Sequence, residues 1–185
     1  MNRTRCRWCN LSNPRYVAYH DNEWGLPLYD DRILFEFLVL ESFQAGLSWE
    51  TILNKRENFR RAFDDFDPIQ ISRYGEDKIR DLLADPGIVR NRRKIEAAII
   101  NAAVYLRIQE NWGSFHKYIW HFTNGMTIYE SNHTSSELSD RISNDLKEHG
   151  MKFVGTTIIY SYLQAVGIIH SHEKTCFLYK SHDLL

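Results

Sequence analysis

DKIRDLLADPGIVRNRRKIEAAIINAAVYLRIQ, residues 77–109, is the most informative local pattern in this chain of 185 residues. Asp77–Ala84 has helical spacing of its apolar side chains, and Asp85-Pro86-Gly87 ends that helix because proline cannot continue it. A long helix is predicted over Arg93–Gln109, after a tight connection at Ile88–Arg92. Two helices joined this closely form a hairpin.

Helical periodicity continues on both sides of the hairpin. Asp30 can cap a helix from Asp31 to about Gly46, with Leu34, Phe37, Leu38 and Ala45 on one apolar face, and Ser48 can cap the next one, through Glu57 to Phe63. The other predicted helices start at Asp67-Pro68, cover Ser114–Phe122, run from Ser135 or Ser139 to Gly150, and cover Thr156–Ile169. Met126–His133 is irregular, with some strand character. We therefore expect an all-α fold in a single domain over residues 1–185.

Composition sets limits on function. The chain is long enough for one core or for two small lobes that share a cleft. No apolar run reaches the length of a membrane span, because Ser161, Gln164 and Gly167 interrupt the longest one. No apolar segment follows the first basic residues, so we expect a cytoplasmic protein. A net charge of −1 argues against coating nucleic acid by bulk charge but allows a local basic strip. We expect a monomer, since no exposed apolar seam is evident.

The hairpin connection is a candidate phosphate site. Its loop amides and the start of the second helix can hold an anion, and they carry nearby basic charge. The residues concerned are Gly87, Arg90, Arg92, Arg93 and Lys94. The alternative is an ordinary connection with a solvated basic face. A second basic cluster, Lys55, Arg56, Arg60 and Arg61, has a helical partner in Glu57 and is interpreted as structural.

Glu41 breaks the pattern of its helix. It lies three residues after Leu38 and seven after Leu34, on the apolar face, where a carboxyl group is rarely buried without a partner. It is either a structural ion pair or a carboxylate kept in a pocket for a ligand. Leu47 follows soon after it, beside Gly46, and is either part of a simple turn or a wedge for a base stack.

Four residues form a candidate metal site: Cys6, His20, His172 and Cys176. On a helix, His172 and Cys176 would share one face, and the other two come from the opposite end of the chain. Two Cys and two His make a closed tetrahedral zinc site, which would be structural and would clasp both termini. Cys9 and His170 are alternative ligands.

Aromatic residues are 14% of the chain, and several crowd the first fifty positions. Tyr and Trp beside polar residues can form either a core or a stacking pocket. The residues in that region are Trp8, Tyr16, Tyr19, Trp24, Tyr29 and Trp49.

Several long strings in this sequence resemble the DNA-3-methyladenine glycosylase I family. They are YVAYHDNEWG at 16–25, Glu41 with QAGLSW at 44–49, GIVR at 87–90 with RRKI at 92–95, and KFVGTT at 152–157 with Gln164-Ala165. The resemblance extends from Cys6 to Cys176.

This resemblance implies a helix-hairpin-helix glycosylase fold, with two small helical lobes around a base-binding cleft and a terminal zinc clasp. The hairpin would occupy about 77–109, and the clasp would come from 6–20 and 172–176. The implied roles are Glu41 as the pocket carboxylate, Leu47 as the intercalating residue, and Trp8, Tyr16, Tyr19 and Trp49 as base-binding aromatics. The zinc ligands would be Cys6, His20, His172 and Cys176.

The implied reaction is the excision of 3-methyladenine from alkylated double-stranded DNA, with the free base as product. The long helix carries no Asp between Arg90 and Glu110 to stabilise the sugar, so the lability of the cationic leaving group would supply much of the rate. No lysine stands at a Schiff-base position after the hairpin, so we expect no strand cleavage. Three other classes stay open: a module that binds without cutting, a zinc hydrolase, and a helical interaction protein with Glu41 paired to an Arg.

Overall fold

The computed structural model describes residues 3–180, and these residues are mostly helical. Its α-helices are α1 Pro14–Asn22, α2 Asp31–Gln44, α3 Trp49–Ala62, α4 Pro68–Ile71, α5 Glu76–Ala84, α6 Arg92–Trp112, α7 Phe115–His121, α8 Glu137–Glu148 and α9 Thr156–Ala165. A short 3₁₀ turn, Asp64–Phe66, joins α3 to α4. Within this part of the chain, no helix is both long and apolar enough to cross a membrane.

Helix α2 is the centre of the fold. It contacts α3, α6, α7 and α9, and every residue from Leu34 to Phe43 is buried. The expectation of a single apolar face on this helix is therefore wrong, because α2 is surrounded by other helices, as a central helix must be. Asp30 caps it as predicted, accepting a hydrogen bond from the Ile33 amide at 3.0 Å.

The predicted helical hairpin is formed by α5 and α6 with a connection at residues 85–91. Asp85 tightens the turn by accepting a 2.7 Å hydrogen bond from the Gly87 amide. Asn91 then caps α6 by accepting from the Lys94 amide, so α6 begins at Arg92, one residue earlier than predicted. It continues to Trp112, beyond the predicted end at Gln109.

The last long helix is shorter than the apolar run suggests. We predicted a helix over Thr156–Ile169, but α9 ends at Ala165. Gly167 has φ of +73°, and a Cβ there would lie 2.3 Å from the Leu26 carbonyl carbon. The chain therefore leaves the helix to pass close to another segment, where only glycine fits.

A small parallel pairing joins the two segments that follow α7 and α9. Ile128–Tyr129 (β1) pairs with Ile169–His170 (β2). The all-α expectation misses this pair, although strand character near Met126–His133 was predicted. The pairing carries the chain towards the region of the N-terminus, where the residues after His170 complete the site described below.

Candidate functional site

A cavity of about 400 Å³ opens between the first fifty residues and the segment 131–173. We call it the aromatic cavity. Its lining is Trp8, Tyr16, Tyr19, Trp24, Glu41, Gln44, Trp49, Ser131, Asn132, Ser161, Gln164, Ser171 and Glu173. The sequence-predicted Glu41, Trp8, Tyr16, Tyr19 and Trp49 are all in this set.

Glu41 is the buried acid of the aromatic cavity. Its side chain comes from the last turns of α2, and the residue is 3% exposed. Atom Oε2 has no hydrogen-bond partner, and no ion pair within residues 3–180 includes Glu41. Burial alone raises the pKa of its carboxyl group from 4.5 to about 8. This geometry excludes the structural ion pair within the described chain and leaves the pocket carboxylate.

The buried ion pair belongs to a different acid that the sequence did not single out. Glu36, one turn before Glu41 on α2, accepts hydrogen bonds from Arg56 at 2.5 Å and from Arg60. Arg56 also donates to Glu23 at 2.6 Å, and Arg60 pairs with Glu57 as predicted. Arg56 and Arg60 are thus already paired with other acids, and Glu41 keeps its carboxyl group unpaired.

Aromatic rings form the walls around this acid. The rings of Tyr19 and Trp49 have centroids 5.3 Å apart, and those of Tyr16 and Tyr19 are 6.4 Å apart. Burial raises the pKa of Tyr16 to about 12, so its hydroxyl group stays neutral and can donate a hydrogen bond. The Phe37 ring stacks on the Trp49 ring with a centroid distance of 6.5 Å. The Arg56 guanidinium lies over Phe37, 5.0 Å from its ring centroid.

Trp49 combines an aromatic face with an unpaired donor, since its buried Nε1 has no partner. Its replacement by Ala is expected to weaken the affinity for a cationic base by roughly 0.5–2 kcal/mol, the range of a cation–π contact. Trp49→Phe should retain most of that affinity because the stacking face remains. Binding measured by calorimetry checks this prediction. Equal losses in both variants would show that the indole N–H, rather than the ring face, carries the contact.

The turn between α2 and α3 brings a leucine to the surface. Ala45 has φ −46° and ψ 115°, Gly46 has φ +79°, and the Leu47 amide donates to the Gln44 carbonyl at 2.7 Å. These values define a type II β-turn, which requires glycine at its third position. Leu47 is 40% exposed, and Ser48 caps α3 as predicted. We call residues 44–47 the α2–α3 turn.

The five residues expected at the phosphate site differ in their surroundings. Arg90 and Arg93 are exposed and take part in no ion pair among residues 3–180. Arg92 is exposed but pairs with Glu76 and Glu96. The Gly87 amide is occupied by Asp85.

Lys94 departs most from the expectation. It is 7% exposed, and its ammonium group donates to the carbonyl groups of Phe43 and Ala45. It cannot reach a phosphate at the surface while it makes these contacts, so it does not belong to the exposed basic strip. The amides of Val89 and Arg90 donate no hydrogen bond in the part of the chain that the structure describes.

Cys6, His20, His172 and Cys176 come together as the terminal cluster. All four are buried, and their ligand atoms lie within 4.8 Å of one another. The Sγ–N distances are 3.4 Å from Cys6 to His172, 3.5 Å from Cys176 to His172 and 3.5 Å from Cys176 to His20. Tetrahedral zinc with ordinary Zn–S and Zn–N bonds has S···N edges of about 3.5 Å. The donor set and its spacing therefore fit a zinc ion.

The neighbours of the terminal cluster also fit a metal site. Asp21 Oδ1 lies 2.8 Å from His20 Nδ1, which leaves Nε2 for the cluster and is the usual carboxylate support of a ligating His. His172 and Cys176 share no helix, contrary to our interpretation. A turn brings them together, with the Cys176 amide donating to the Glu173 carbonyl. Cys9 bonds to the Tyr16 carbonyl instead, at 3.8 Å, and His170, on β2, is not part of the cluster.

The terminal cluster supports the aromatic cavity. The Trp8 ring lies 5.1 Å from the His20 ring, and Trp24 lies edge-on 4.7 Å from His172. Both tryptophans line the aromatic cavity. A group that fixes the two histidines would therefore also fix one wall of the cavity.

Comparison with known proteins identifies the family. Residues 8–179 match the family model described as methyladenine glycosylase. The chain belongs to this family. It is 45% identical over 181 residues to DNA-3-methyladenine glycosylase 1 of Escherichia coli (strain K12), covering 95% of this chain and 96% of that protein.

Solved structures of methyladenine glycosylases have the same fold. A crystal structure of 3-methyladenine DNA glycosylase I has a TM-score of 0.92 at 45% identity, and the match covers 96% of this chain and all of that one. The enzyme of Staphylococcus aureus, solved for the structural basis of 3-methyladenine recognition, has a TM-score of 0.91 at 37% identity, covering 97% and 100%.

Several residues in the cavity of this methyladenine glycosylase were not predicted individually. Trp24, Gln44 and Gln164 belong to the sequence motifs that resemble the family. These motifs could therefore have indicated them, although no single residue stood out. The remaining ones lie on α9 or on the segments around β1 and β2: Ser131, Asn132, Ser161, Ser171 and Glu173. No local pattern distinguishes them, because tertiary packing alone brings them to the cavity.

Proposed function

We propose that this chain excises 3-methyladenine from alkylated DNA by hydrolysis of the glycosidic bond. The observation that carries the proposal is a buried carboxyl group without a partner, Glu41, inside a cavity walled by Tyr and Trp. A buried acid without a partner costs stability, and such a cost is typical of functional sites. The relatives' names, and the solved structure of the Staphylococcus aureus enzyme that addresses 3-methyladenine recognition, support the same substrate.

The charge of the substrate explains this arrangement. An adenine alkylated at N3 is cationic, so it lowers the pKa of Glu41, the ionised carboxylate stabilises the base, and the aromatic faces attract it. Normal adenine is neutral, so its binding is stabilised less by the carboxylate and by the aromatic rings. The N9–C1′ bond breaks with its electron pair moving to the base, which leaves neutral, and water adds to C1′ with loss of a proton. Glu41 acts first in recognition of the base edge.

The α5–α6 hairpin is proposed as the helix-hairpin-helix element that docks on the duplex. Arg90 and Arg93 are exposed, and the amides of Val89 and Arg90, which donate no hydrogen bond within residues 3–180, would bind a phosphate. Such contacts position the protein without reading sequence. Leu47, at the exposed end of the α2–α3 turn, would fill the space that the flipped nucleotide leaves in the stack. The arrangement in two lobes and the monomeric state stay predictions.

The terminal cluster is proposed as a structural zinc site. Cys6, His20, His172 and Cys176 would occupy all four positions of a tetrahedral ion, so zinc would cross-link the termini and activate no water. The supporting observation is the agreement of the Sγ–N distances with tetrahedral edges. No step of base excision depends on this ion.

Chromatography of the bases released from methylated duplex DNA tests the proposed function. The purified protein is expected to release 3-methyladenine and to leave the DNA strands intact until the abasic sites are cleaved by alkali. Retention of methylated DNA without release of a base would instead identify a binding module. Direct strand cleavage would contradict the monofunctional mechanism.

A further inference from the structure

The buried ammonium group of Lys94 joins the hairpin to the α2–α3 turn. Lys94 lies in the first turn of α6, directly after the hairpin connection. Its Nζ donates to the Phe43 carbonyl at 2.7 Å and to the Ala45 carbonyl at 2.6 Å. These two carbonyl groups come from the end of α2 and from the turn itself, and a cation is a favourable partner at a helix C-terminus.

The hydrogen bond from Lys94 to the Ala45 carbonyl favours the type II form of the α2–α3 turn over the type I form. Ala45 is the second residue of the type II turn, with ψ 115°. A type I turn would need ψ near −30° at this residue, which would rotate the Ala45 carbonyl group by about 150°. In that state the carbonyl oxygen would point away from Lys94. The bond from Lys94 is therefore made in the type II form, in which Gly46 has φ +79° and Leu47 is exposed.

We propose that Lys94 is a positioning residue that holds Leu47 ready for insertion into the duplex. It makes no contact with the base and acts through the α2–α3 turn. Because it belongs to the first turn of α6, docking of the hairpin and presentation of Leu47 become parts of one rigid unit. This inference rests on the proposed wedge role of Leu47.

A positioning role and a merely structural one predict different results. If Lys94 only stabilised the fold, its loss would weaken every activity of the cavity. If it positions Leu47, removing the ammonium group should slow excision from duplex DNA and leave binding of the free base unchanged. Lys94→Met suits this test, since methionine keeps an unbranched, buried chain without the charge.

The experiment is a double-variant cycle with Leu47→Ala. Single-turnover release of 3-methyladenine from duplex DNA and calorimetric binding of free 3-methyladenine are measured for both single variants and for their combination. Lys94→Met should slow release about 10- to 100-fold, the loss expected from misplacing a positioning group. The double variant should be no slower than Leu47→Ala, because the turn then has no wedge to present.

Lys55→Met is the matched control. Lys55 also donates its ammonium group to backbone carbonyls, those of Pro86 and Gly87, but at the hairpin and away from the α2–α3 turn. The fold-losses in release rate caused by Lys55→Met and by Leu47→Ala should multiply in the double variant, because the two residues act independently. If Lys94→Met does not fold, Lys94→Gln carries the same test, since its shorter neutral side chain cannot reproduce the double contact.

The outcomes separate the inference from the proposed function. Suppose that Leu47→Ala slows release. Normal release by Lys94→Met would then overturn the positioning role alone, and so would losses from Lys94→Met and Leu47→Ala that multiply in the double variant. Weakened binding of the free base by Lys94→Met also overturns it. Normal release by Leu47→Ala removes the wedge itself and the inference with it, whereas no release by the wild-type protein contradicts the glycosylase.

Discussion

Glu41→Gln is expected to slow the excision of 3-methyladenine by about 100-fold or more, the usual loss when one buried electrostatic contact to the reacting group is removed. The amide keeps the shape of the side chain but cannot carry the negative charge that stabilises a cationic base. Single-turnover release from methylated duplex DNA measures the effect.

The same variant is expected to be more stable than the wild-type protein. Burial raises the pKa of Glu41 from 4.5 in an unfolded chain to about 8 in the folded protein. Folding therefore favours the protonated form, and stability is lost as pH rises from 4.5 to 8. At pH 7 this cost is about 3 kcal/mol, which Gln does not incur. The melting temperature should rise by roughly 6–12 °C.

The pH dependence identifies the cause of this stabilisation. The advantage of Glu41→Gln should vanish below pH 4.5, where wild-type Glu41 is protonated in both the folded and the unfolded state, and should level off above pH 8. Glu36→Gln is the matched control on the same helix. Glu36 is paired with the buried Arg56 and the half-buried Arg60, so its replacement removes the buried acid that these two cations share and should destabilise the protein. Destabilisation by Glu41→Gln at pH 7 would contradict an unpaired carboxyl group.

Loss of the proposed zinc ion from the terminal cluster is also expected to have a large effect. A structural zinc site contributes on the order of 10 kcal/mol of apparent binding energy, and the net stability of a domain is only about 5–15 kcal/mol. Cys176→Ser should therefore lower the melting temperature strongly and reduce the zinc content from one ion per chain. Mass spectrometry of the metal and thermal unfolding measure the two results.

The aromatic cavity should respond to the same change, since Trp8 and Trp24 pack on His20 and His172. Binding of free 3-methyladenine is expected to weaken together with the loss of zinc. Cys9→Ser provides the control, because this buried thiol lies outside the terminal cluster. A zinc-free wild-type protein with unchanged stability and activity would remove the structural role of the ion. Inhibition by mild chelation, with the fold intact, would instead favour a catalytic metal.

Features set by neighbouring residues were predictable from the sequence. Asp30 and Ser48 cap their helices as expected, because a capping side chain bonds to an amide three residues ahead. The hairpin was also predictable, since a proline followed by a glycine cannot continue the interior of a helix. Glu41 was recognisable as unusual because its position on an apolar helix face is a local property.

Features set by distant segments were not predictable. The end of α9 depends on the approach of Leu26 and Pro27 to Gly167, which no pattern within the helix reveals. Glu36 and Glu41 are both buried acids of α2, and only the positions of Arg56 and Arg60 distinguish the paired acid from the unpaired one.

Lys94 shows the same limit within the candidate site. In the run Arg92-Arg93-Lys94 it has the composition of an exposed basic strip, but α6 packs against the end of α2 and buries it. His172 and Cys176 illustrate a partial success. Their spacing of four indicated proximity correctly, although a turn rather than a helix provides it.

Methylated adenine is expected to bind in the aromatic cavity. The most direct test follows the indole N–H resonances of the five tryptophans during titration with free 3-methyladenine. The Trp49 resonance should shift strongly as the base stacks on its ring. The Trp120 resonance should stay in place, because its Nε1 already donates to the Leu28 carbonyl. A bound base that leaves Trp49 unchanged would contradict this account of the site.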